Sequence, residues 1–230
     1  MRVQKLFVLS AVLLLALAPL AWAAPSGKVV VAQGVDPSTL DPHDHEEQPA
    51  FNVLLNIYDT LLVRDKDLKI APWLATSYKI LNPTTWEFKL RQGVKFTNGE
   101  EFDAEAAKFS LERVANPANN LRLTALRPID RVEVIDKYTI HIITKKPYPV
   151  LDTHLCIRGA MVPPKYFKEH DKAFLARNPV GTGPFKFVTW VKDDRIEFEA
   201  NEQWWHGAPK IKTLIFRPIP EPYTHTWHRS

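Results

Sequence analysis

Apolar and polar residues alternate in several short segments of the chain, and this alternation predicts β-strands. In 84–91, three large apolar side chains would face one side and two charged side chains the other, as in a half-buried strand. The valine-rich run 28–33 is typical of a buried strand. Segments 131–135 and 138–144 are separated only by Asp136-Lys137, which predicts a hairpin with a two-residue turn. Three further strands are predicted at 185–190, 195–200 and 212–219.

Helical periodicity marks other parts of the chain. The apolar residues of 51–62 recur at steps of three and four positions, which predicts one face of an amphipathic helix. Asp103 can cap a second helix that runs through Val114. A short helix is predicted at 165–170, after a pair of prolines. Strands interleaved with helices, some of them paired antiparallel, predict a mixed α/β (α+β) fold.

The N-terminus has the three parts of a secretory signal peptide. The basic residues Arg2 and Lys5 precede an apolar run over 6–20, and an A-x-A site ends at Ala23. We therefore predict a cleavable signal peptide at 1–23 and a mature chain that starts near Ala24. An uncleaved membrane anchor is the alternative, but the apolar run is rather short for one.

Composition and charge describe an ordinary globular protein. Of the 230 residues, 45% are hydrophobic and 24% are charged, which excludes a disordered tail or a collagen-like fibre. The net charge of +4 comes without a clustered basic face, which argues against a nucleic-acid partner.

The single cysteine, Cys156, cannot form an internal disulfide. It lies far from the predicted cleavage site, so no lipobox cysteine is available for a lipid anchor, and we expect a freely soluble periplasmic protein. Its neighbours Leu155 and Ile157 are apolar, which predicts a buried thiol rather than a nucleophile.

Two further patterns suggest chemistry, each beside a simpler interpretation. The segment 181–183 has two glycines but lacks the rest of a phosphate loop, which favours a tight turn before a strand. Trp73 and the pair 204–205 suit either a ligand platform or a core. No nucleophile and base are suitably spaced, so we predict a protein that is not an enzyme and needs no cofactor.

The loop 41–47 concentrates aspartate, histidine and glutamate side chains, which are metal-ligand types. Its acidic residues also precede a predicted helix start, where negative charge is favoured for electrostatic reasons. A metal site and a structural acidic loop therefore both remain open at this point.

Several long stretches resemble the extracellular solute-binding proteins of ABC transporters, family 5, the dipeptide and oligopeptide class. They follow the family order from about residue 28 to residue 221. The matching stretches are 39–43 (TLDPH), 56–62 (NIYDTLL), 71–78 (APWLATSY), 86–113 (WEFKLRQGVKFTNGEEFDAEAAKFSLER), 139–149 (TIHIITKKPYP), 178–187 (NPVGTGPFKF) and 195–211 (RIEFEANEQWWHGAPKI).

The resemblance implies a type II periplasmic-binding-protein fold, in which two lobes close on a ligand. It places lobe I at 24–61 and 164–221 and a smaller inserted α+β domain at 62–163. The residues 222–230 no longer resemble the family, whose second lobe would follow. We therefore expect a truncated or frameshifted N-terminal portion, with the second lobe missing, that binds peptide weakly or not at all.

By position, the resemblance also implies the ligand-lining residues and the function. The ligand-binding residues would be His45, Glu46, Glu47, Gln48, Arg122 and Leu123, with no metal ligands assigned. The function would be capture of a peptide or other small solute in the periplasm and its delivery to the permease subunits of an ABC importer. The alternative is a secreted metal- or metal-chelate-binding protein that uses the His43–Glu47 loop.

Overall fold

The computed structural model describes residues 24–219. The predicted signal peptide at 1–23 and the predicted non-family tail at 222–230 lie outside the described residues. The strands are β1 (Ser26–Gln33), β2 (Leu62–Arg64), β3 (Ile70–Pro72), β4 (Ala75–Asn82), β5 (Thr85–Leu90), β6 (Ile129–Asp136), β7 (Thr139–Thr144), β8 (Phe185–Val191), β9 (Arg195–Ala200) and β10 (Ile211–Pro218). The helices are α1 (Gln48–Leu54), α2 (Ala104–Ala115), α3 (Leu151–Leu155), α4 (Pro164–Glu169) and α5 (Lys172–Leu175).

The strands form two four-stranded sheets and a small hairpin. One sheet has the order β1-β10-β9-β8, in which β1 is parallel to β10 and the other pairs are antiparallel. The other sheet has the order β4-β5-β7-β6 and is antiparallel throughout. Strands β2 and β3 pair only with each other among the described strands. The predicted mixed α/β class is confirmed.

Each four-stranded sheet packs into its own hydrophobic core. The central core contains Phe51 and buried residues between 61 and 161, and α2 packs on its sheet. The terminal core contains buried residues from 40–58 and 160–216. The chain passes between the two cores near Thr60 and again near Ala160, where these two residues form an antiparallel bridge. The domain limits at residues 61, 163 and 221 stay predictions.

Locally encoded elements follow the sequence closely. Trp86, Phe88 and Leu90 of β5 are buried on one face, as their alternation predicts. Helix α2 starts at its predicted cap, where the Asp103 carboxylate accepts a hydrogen bond from the Ala106 amide at 3.0 Å. Cys156 is buried as predicted, and burial raises the pKa of its thiol.

The predicted strand-entry turn at 181–183 is also confirmed, and the reason for its glycines is close backbone approach. A Cβ atom at Gly181 would lie 2.2 Å from the Ile57 carbonyl oxygen, and one at Gly183 would lie 2.6 Å from it. The Gly183 amide donates to the same oxygen at 2.8 Å. Any side chain here would push the two segments apart.

The prediction of a buried β1 was wrong. Val29 is 39% exposed and Val30 is 51% exposed. The cause is position in the sheet: β1 lies at an edge and pairs with β10 alone within the described part of the chain. A valine-rich composition indicates a strand but does not report which neighbours cover it.

The predicted helix over 51–62 was too long, because α1 ends at Leu54. Beyond it, the Asn56 carbonyl accepts from the Phe185 amide at 3.0 Å, so the chain bonds to the start of β8 instead of continuing the helix. The later apolar residues of the pattern divide between the two cores, since Tyr58 enters the terminal core and Leu61 the central core.

The hairpin between β6 and β7 exists, but its turn lies one residue later than predicted. Asp136 pairs with Thr139, so Lys137 and Tyr138 form the turn. The Asp136 carboxylate accepts from the Tyr138 amide at 2.8 Å, and this side-chain bond fixes the turn position.

Between residues 24 and 219, no helix has the length and apolar character needed to cross a membrane.

Candidate functional site

A buried ion pair anchors the loop that precedes α1. Asp41 is fully buried, and both of its carboxylate oxygens accept from the Arg113 guanidinium, at 3.1 and 2.6 Å. Arg113 lies in the last turn of α2. Burial disfavours the charged carboxylate, but the attraction and hydrogen bonds of Arg113 outweigh it and lower the pKa of Asp41. The ion pair therefore ties the loop to the central-core helix.

His43 is the third member of this arrangement, and its hydrogen bonds fix one protonation state of the imidazole. Arg113 can only donate, so Nδ1 of His43 accepts from it at 2.8 Å, and Nε2 carries the hydrogen that is donated to the Ala160 carbonyl at 2.9 Å. Burial and the Arg113 cation lower the pKa of His43 to about 4. The imidazole is thus neutral near pH 7. We call Asp41, His43 and Arg113 the ionic clasp.

The contacts of the ionic clasp also show whether the same loop has side-chain atoms available to bind a metal ion. Both nitrogens of His43 and both oxygens of Asp41 already have protein partners. Within 24–219, no group of three or more histidine, cysteine, aspartate or glutamate side chains is arranged to hold a metal ion. The structure therefore adds no support for the hypothesis that this loop binds a bare metal ion.

The structure brings together the two segments that contain the predicted ligand-binding residues. The Leu123 amide donates to the His43 carbonyl at 3.3 Å, and the Thr124 amide donates to the Glu46 carboxylate at 2.8 Å. The Arg122 guanidinium donates to the Asp44 carbonyl. A loop attached to the terminal core thus meets a loop attached to the central core.

Acidic and basic side chains balance at this junction. Asp44 is paired with Lys172 at 3.0 Å, and Glu46 faces Arg158 at 3.5 Å. Glu47 accepts from the Ser38 amide at 2.6 Å, and the Ser38 hydroxyl in turn accepts from Arg122. The hydrogen bonds from Ser38 and the charge of Arg122 outweigh partial burial and lower the pKa of Glu47.

The six predicted ligand-binding residues differ in how far their side chains are exposed to solvent. Glu46, Gln48 and Arg122 are exposed, and Glu47 is half-buried. Leu123 is fully buried in the central core, where its side chain packs. His45 is also buried, with its ring 4.4 Å from that of Phe51, and desolvation lowers its pKa.

Sequence reasoning missed Arg113. It identified Asp41 and His43 as candidate metal ligands and not as partners of an arginine 72 and 70 positions further along the chain. A charged residue in the last turn of a helix carries no local signal of burial, so only the tertiary pairing reveals its role.

The mixed α/β fold is that of the periplasmic-binding-protein class, and solved structures share it. NikZ from Campylobacter jejuni, in complex with Ni(L-His), is 30% identical with a TM-score of 0.78, over 85% of this chain and 40% of that one. DppA from Helicobacter pylori, in complex with peptide STSA, is 30% identical with a TM-score of 0.76, over 84% and 43%.

Sequence comparison then gives the family. Residues 69–227 match the description "Bacterial extracellular solute-binding proteins, family 5 Middle". The chain belongs to this family, which confirms the resemblance. The glutathione-binding protein GsiB of Salmonella paratyphi A is 35% identical over 200 residues, which are 85% of this chain and 39% of the relative. GsiB of Escherichia coli O157:H7 is 34% identical over a stretch of the same length. The chain therefore spans about 39% of the length of these relatives.

Proposed function

We propose that the chain is a periplasmic solute-binding component of an ABC importer, and that its solute is a short peptide. Family membership supports solute binding. Two relatives support the peptide: GsiB is named for glutathione, which is itself a tripeptide, and DppA was solved with peptide STSA. Delivery would be to the permease subunits of the importer, and the protein would act without a cofactor and without catalysis.

The observation that carries the peptide assignment is the balanced charge of the two-loop cluster. Asp44, Glu46 and Glu47 lie among Arg122, Arg158 and Lys172. A field of both signs suits a zwitterionic ligand, which carries an amine and a carboxylate, better than an isolated cation or anion. The exposed side chains of Glu46 and Arg122 are the groups we assign to the two ends of such a ligand.

A metal chelate is the second candidate, and a specific observation favours it. NikZ, at 30% identity, was solved with Ni(L-His). A chelated metal brings its own ligands and does not require a group of three protein donors. Binding of a chelate would thus be compatible with the occupied nitrogens of His43, whereas binding of bare nickel at Asp41 and His43 would have to break the ionic clasp.

Capture would follow the usual logic of a binding protein. The ligand would favour the closed state in proportion to its difference in affinity for the closed and open states. The Glu46 and Arg122 loops would form one wall of the cleft, and the closed complex would be the form presented to the permease.

Amide NMR of the 15N-labelled chain, without residues 1–23, tests the assignment even when binding is weak. Titrations would use the peptide Ser-Thr-Ser-Ala, glutathione, the nickel–histidine chelate and nickel alone. We expect the two peptides to shift amides of 45–48 and 122–124. The variant Arg122→Gln should weaken these shifts, whereas Arg131→Gln, at an exposed position of the edge strand β6, should not change them.

Each result decides between the candidates. Shifts with the chelate alone would replace the peptide by a chelate as solute. Shifts outside both loops, or none with any of the four probes at millimolar concentration, would contradict the proposed site.

A further inference from the structure

A second buried aspartate, Asp59, lies beside the crossing between the two cores. It is 4% exposed, and its carboxylate accepts four hydrogen bonds. The donors are the indole nitrogens of Trp73 (2.8 Å), Trp205 (2.8 Å) and Trp204 (3.3 Å) and the hydroxyl of Thr182 (3.0 Å). All four donors are neutral, and an indole N–H can only donate, so the acceptor-only carboxylate fits all of them.

These donors come from both parts of the molecule. Trp73 lies between β3 and β4, and it packs against the central core. Thr182 precedes β8, and Trp204-Trp205 follow β9, so these three belong to the connections of the terminal-core sheet, and the ring of Trp205 reaches the central core beside Trp73. We call Asp59 and its four donors the indole clasp.

Asp59 itself lies on the crossing. Its carbonyl accepts from the Met161 amide at 3.0 Å, and its neighbour Thr60 bridges to Ala160. One residue therefore bonds through its backbone to the returning chain and through its side chain to segments of both sheets.

The aromatic rings add packing to the hydrogen bonds. The ring centroids of Trp73 and Trp205 are 4.9 Å apart in an edge-to-face arrangement. The Arg91 guanidinium lies 4.3 Å from the centre of the Trp205 ring, and its Nε donates to the Trp73 carbonyl at 3.1 Å. The sequence left open whether these tryptophans form a core or a ligand platform. In the structure they form a half-buried junction.

We propose that Asp59 is a positioning residue for the solute site. This inference rests on the proposed function, because it concerns how the two loops of that site meet. The loop with Glu46 belongs to the terminal core and the loop with Arg122 to the central core. A rotation of one core against the other would separate these loops. The indole clasp fixes the angle between the cores and so keeps the two halves of the site in register.

The direct test measures the relative orientation of the two sheets by residual dipolar couplings. In the wild type, one alignment tensor should fit the amides of both sheets. In Asp59→Asn, the amide group turns an N–H towards at least one indole donor, and we expect each sheet to fit its own tensor while a common fit fails. Trp205→Phe keeps a smaller aromatic ring and removes one donor, and this variant replaces Asp59→Asn in the test if Asp59→Asn does not fold.

Asp36→Asn is the matched control. Asp36 also accepts from an indole, that of Trp190 at 3.1 Å, but both residues belong to the terminal part of the fold. This variant should leave the common tensor intact.

Peptide titration of the same samples provides the functional result. We expect the dissociation constant for Ser-Thr-Ser-Ala to rise about tenfold in Asp59→Asn and to stay unchanged in Asp36→Asn. A common tensor with unchanged affinity in Asp59→Asn would overturn the positioning role. Failure of the wild type to respond to any probe would instead contradict the proposed function, and the dipolar couplings would still decide whether Asp59 fixes the orientation of the cores.

Discussion

The ionic clasp and the indole clasp both bury an aspartate near the crossing between the two cores, but they compensate its charge differently. Asp41 is fully buried against the single cation Arg113 at 2.6 Å. Asp59 is 4% exposed and faces four neutral donors. A buried carboxylate can therefore be stabilised by one opposite charge or by several dipoles, and we expect the two arrangements to respond differently to substitution.

The two clasps also differ in how many groups stabilise the buried carboxylate. Removal of Arg113 leaves a buried charge without its counter-ion, whereas removal of one indole donor leaves three others on Asp59. We therefore expect the ionic clasp to be the more fragile of the two. It is also the one that contacts the candidate solute site.

The largest effect should come from Arg113→Met. Breaking a buried ion pair by removing one partner costs about 3–5 kcal/mol, because the remaining charge is uncompensated. Urea denaturation should show this loss in the free energy of unfolding. Lys108→Met removes from the same helix a half-exposed ion pair and a hydrogen bond to the Val132 carbonyl, and it should cost only about 1 kcal/mol. Equal losses of unfolding free energy in the two variants would contradict the special cost of breaking the ionic clasp.

The pH dependence of stability should reveal the ionic clasp next. The pKa of His43 is about 4 in the folded protein, below the ordinary 6.5 of a free histidine, so the unfolded chain binds a proton first as the pH falls. Stability should be fully present above pH 6.5 and should drop by about 3 kcal/mol between pH 6.5 and pH 4. Loss of the Asp41 pair continues the drop at lower pH, since the pKa of Asp41 is lowered from 3.8.

Chemical denaturation at a series of pH values measures this curve. His43→Gln should flatten it, with a remainder from His45, whose pKa is also lowered. A His43→Gln curve as steep as the wild type would show that His43 is not held neutral by the ionic clasp.

Asp59→Asn should have a smaller effect on stability than Arg113→Met. A buried donor without an acceptor costs about 1–3 kcal/mol, and the asparagine oxygen can still accept from part of the set. Tryptophan emission should change together with the urea midpoint, because three indoles bond to Asp59. A loss above about 5 kcal/mol would mean that the indole clasp has no redundancy.

The smallest effect should come from Asp103→Ala, which lies outside both clasps. Loss of this N-cap of α2 should cost about 1 kcal/mol, as measured by the urea midpoint. Asp103→Asn retains a capping oxygen and should cost less. If Asp103→Ala destabilised the protein as much as Arg113→Met, the special cost of the ionic clasp would be disproved.

The same contrast explains which features the sequence could predict. Trp86 and Phe88 alternate with charged residues, and Asp103 sits before a helical pattern; these signals span a few positions, and the structure agrees with them. The exposure of Val30 and the end of α1 depend instead on which strands lie alongside, and those neighbours are distant in sequence.

The clasps depend on distant partners even more strongly. Arg113 pairs with a residue 72 positions away, and Asp59 with residues up to 146 positions away. The family resemblance predicted two distant loops as parts of one site, and the structure brings these loops together, although their role in binding stays a prediction. It did not indicate that Leu123 is buried or that Glu46 and Glu47 already have partners.

The most direct test of the account is the amide NMR titration of the chain with Ser-Thr-Ser-Ala. We predict shifts that concentrate at 45–48 and 122–124, on the two loops held together beside the ionic clasp, and that weaken in Arg122→Gln. Shifts confined to one loop, shifts elsewhere in the fold, or an unchanged spectrum at millimolar peptide would contradict a peptide site built jointly from the two cores.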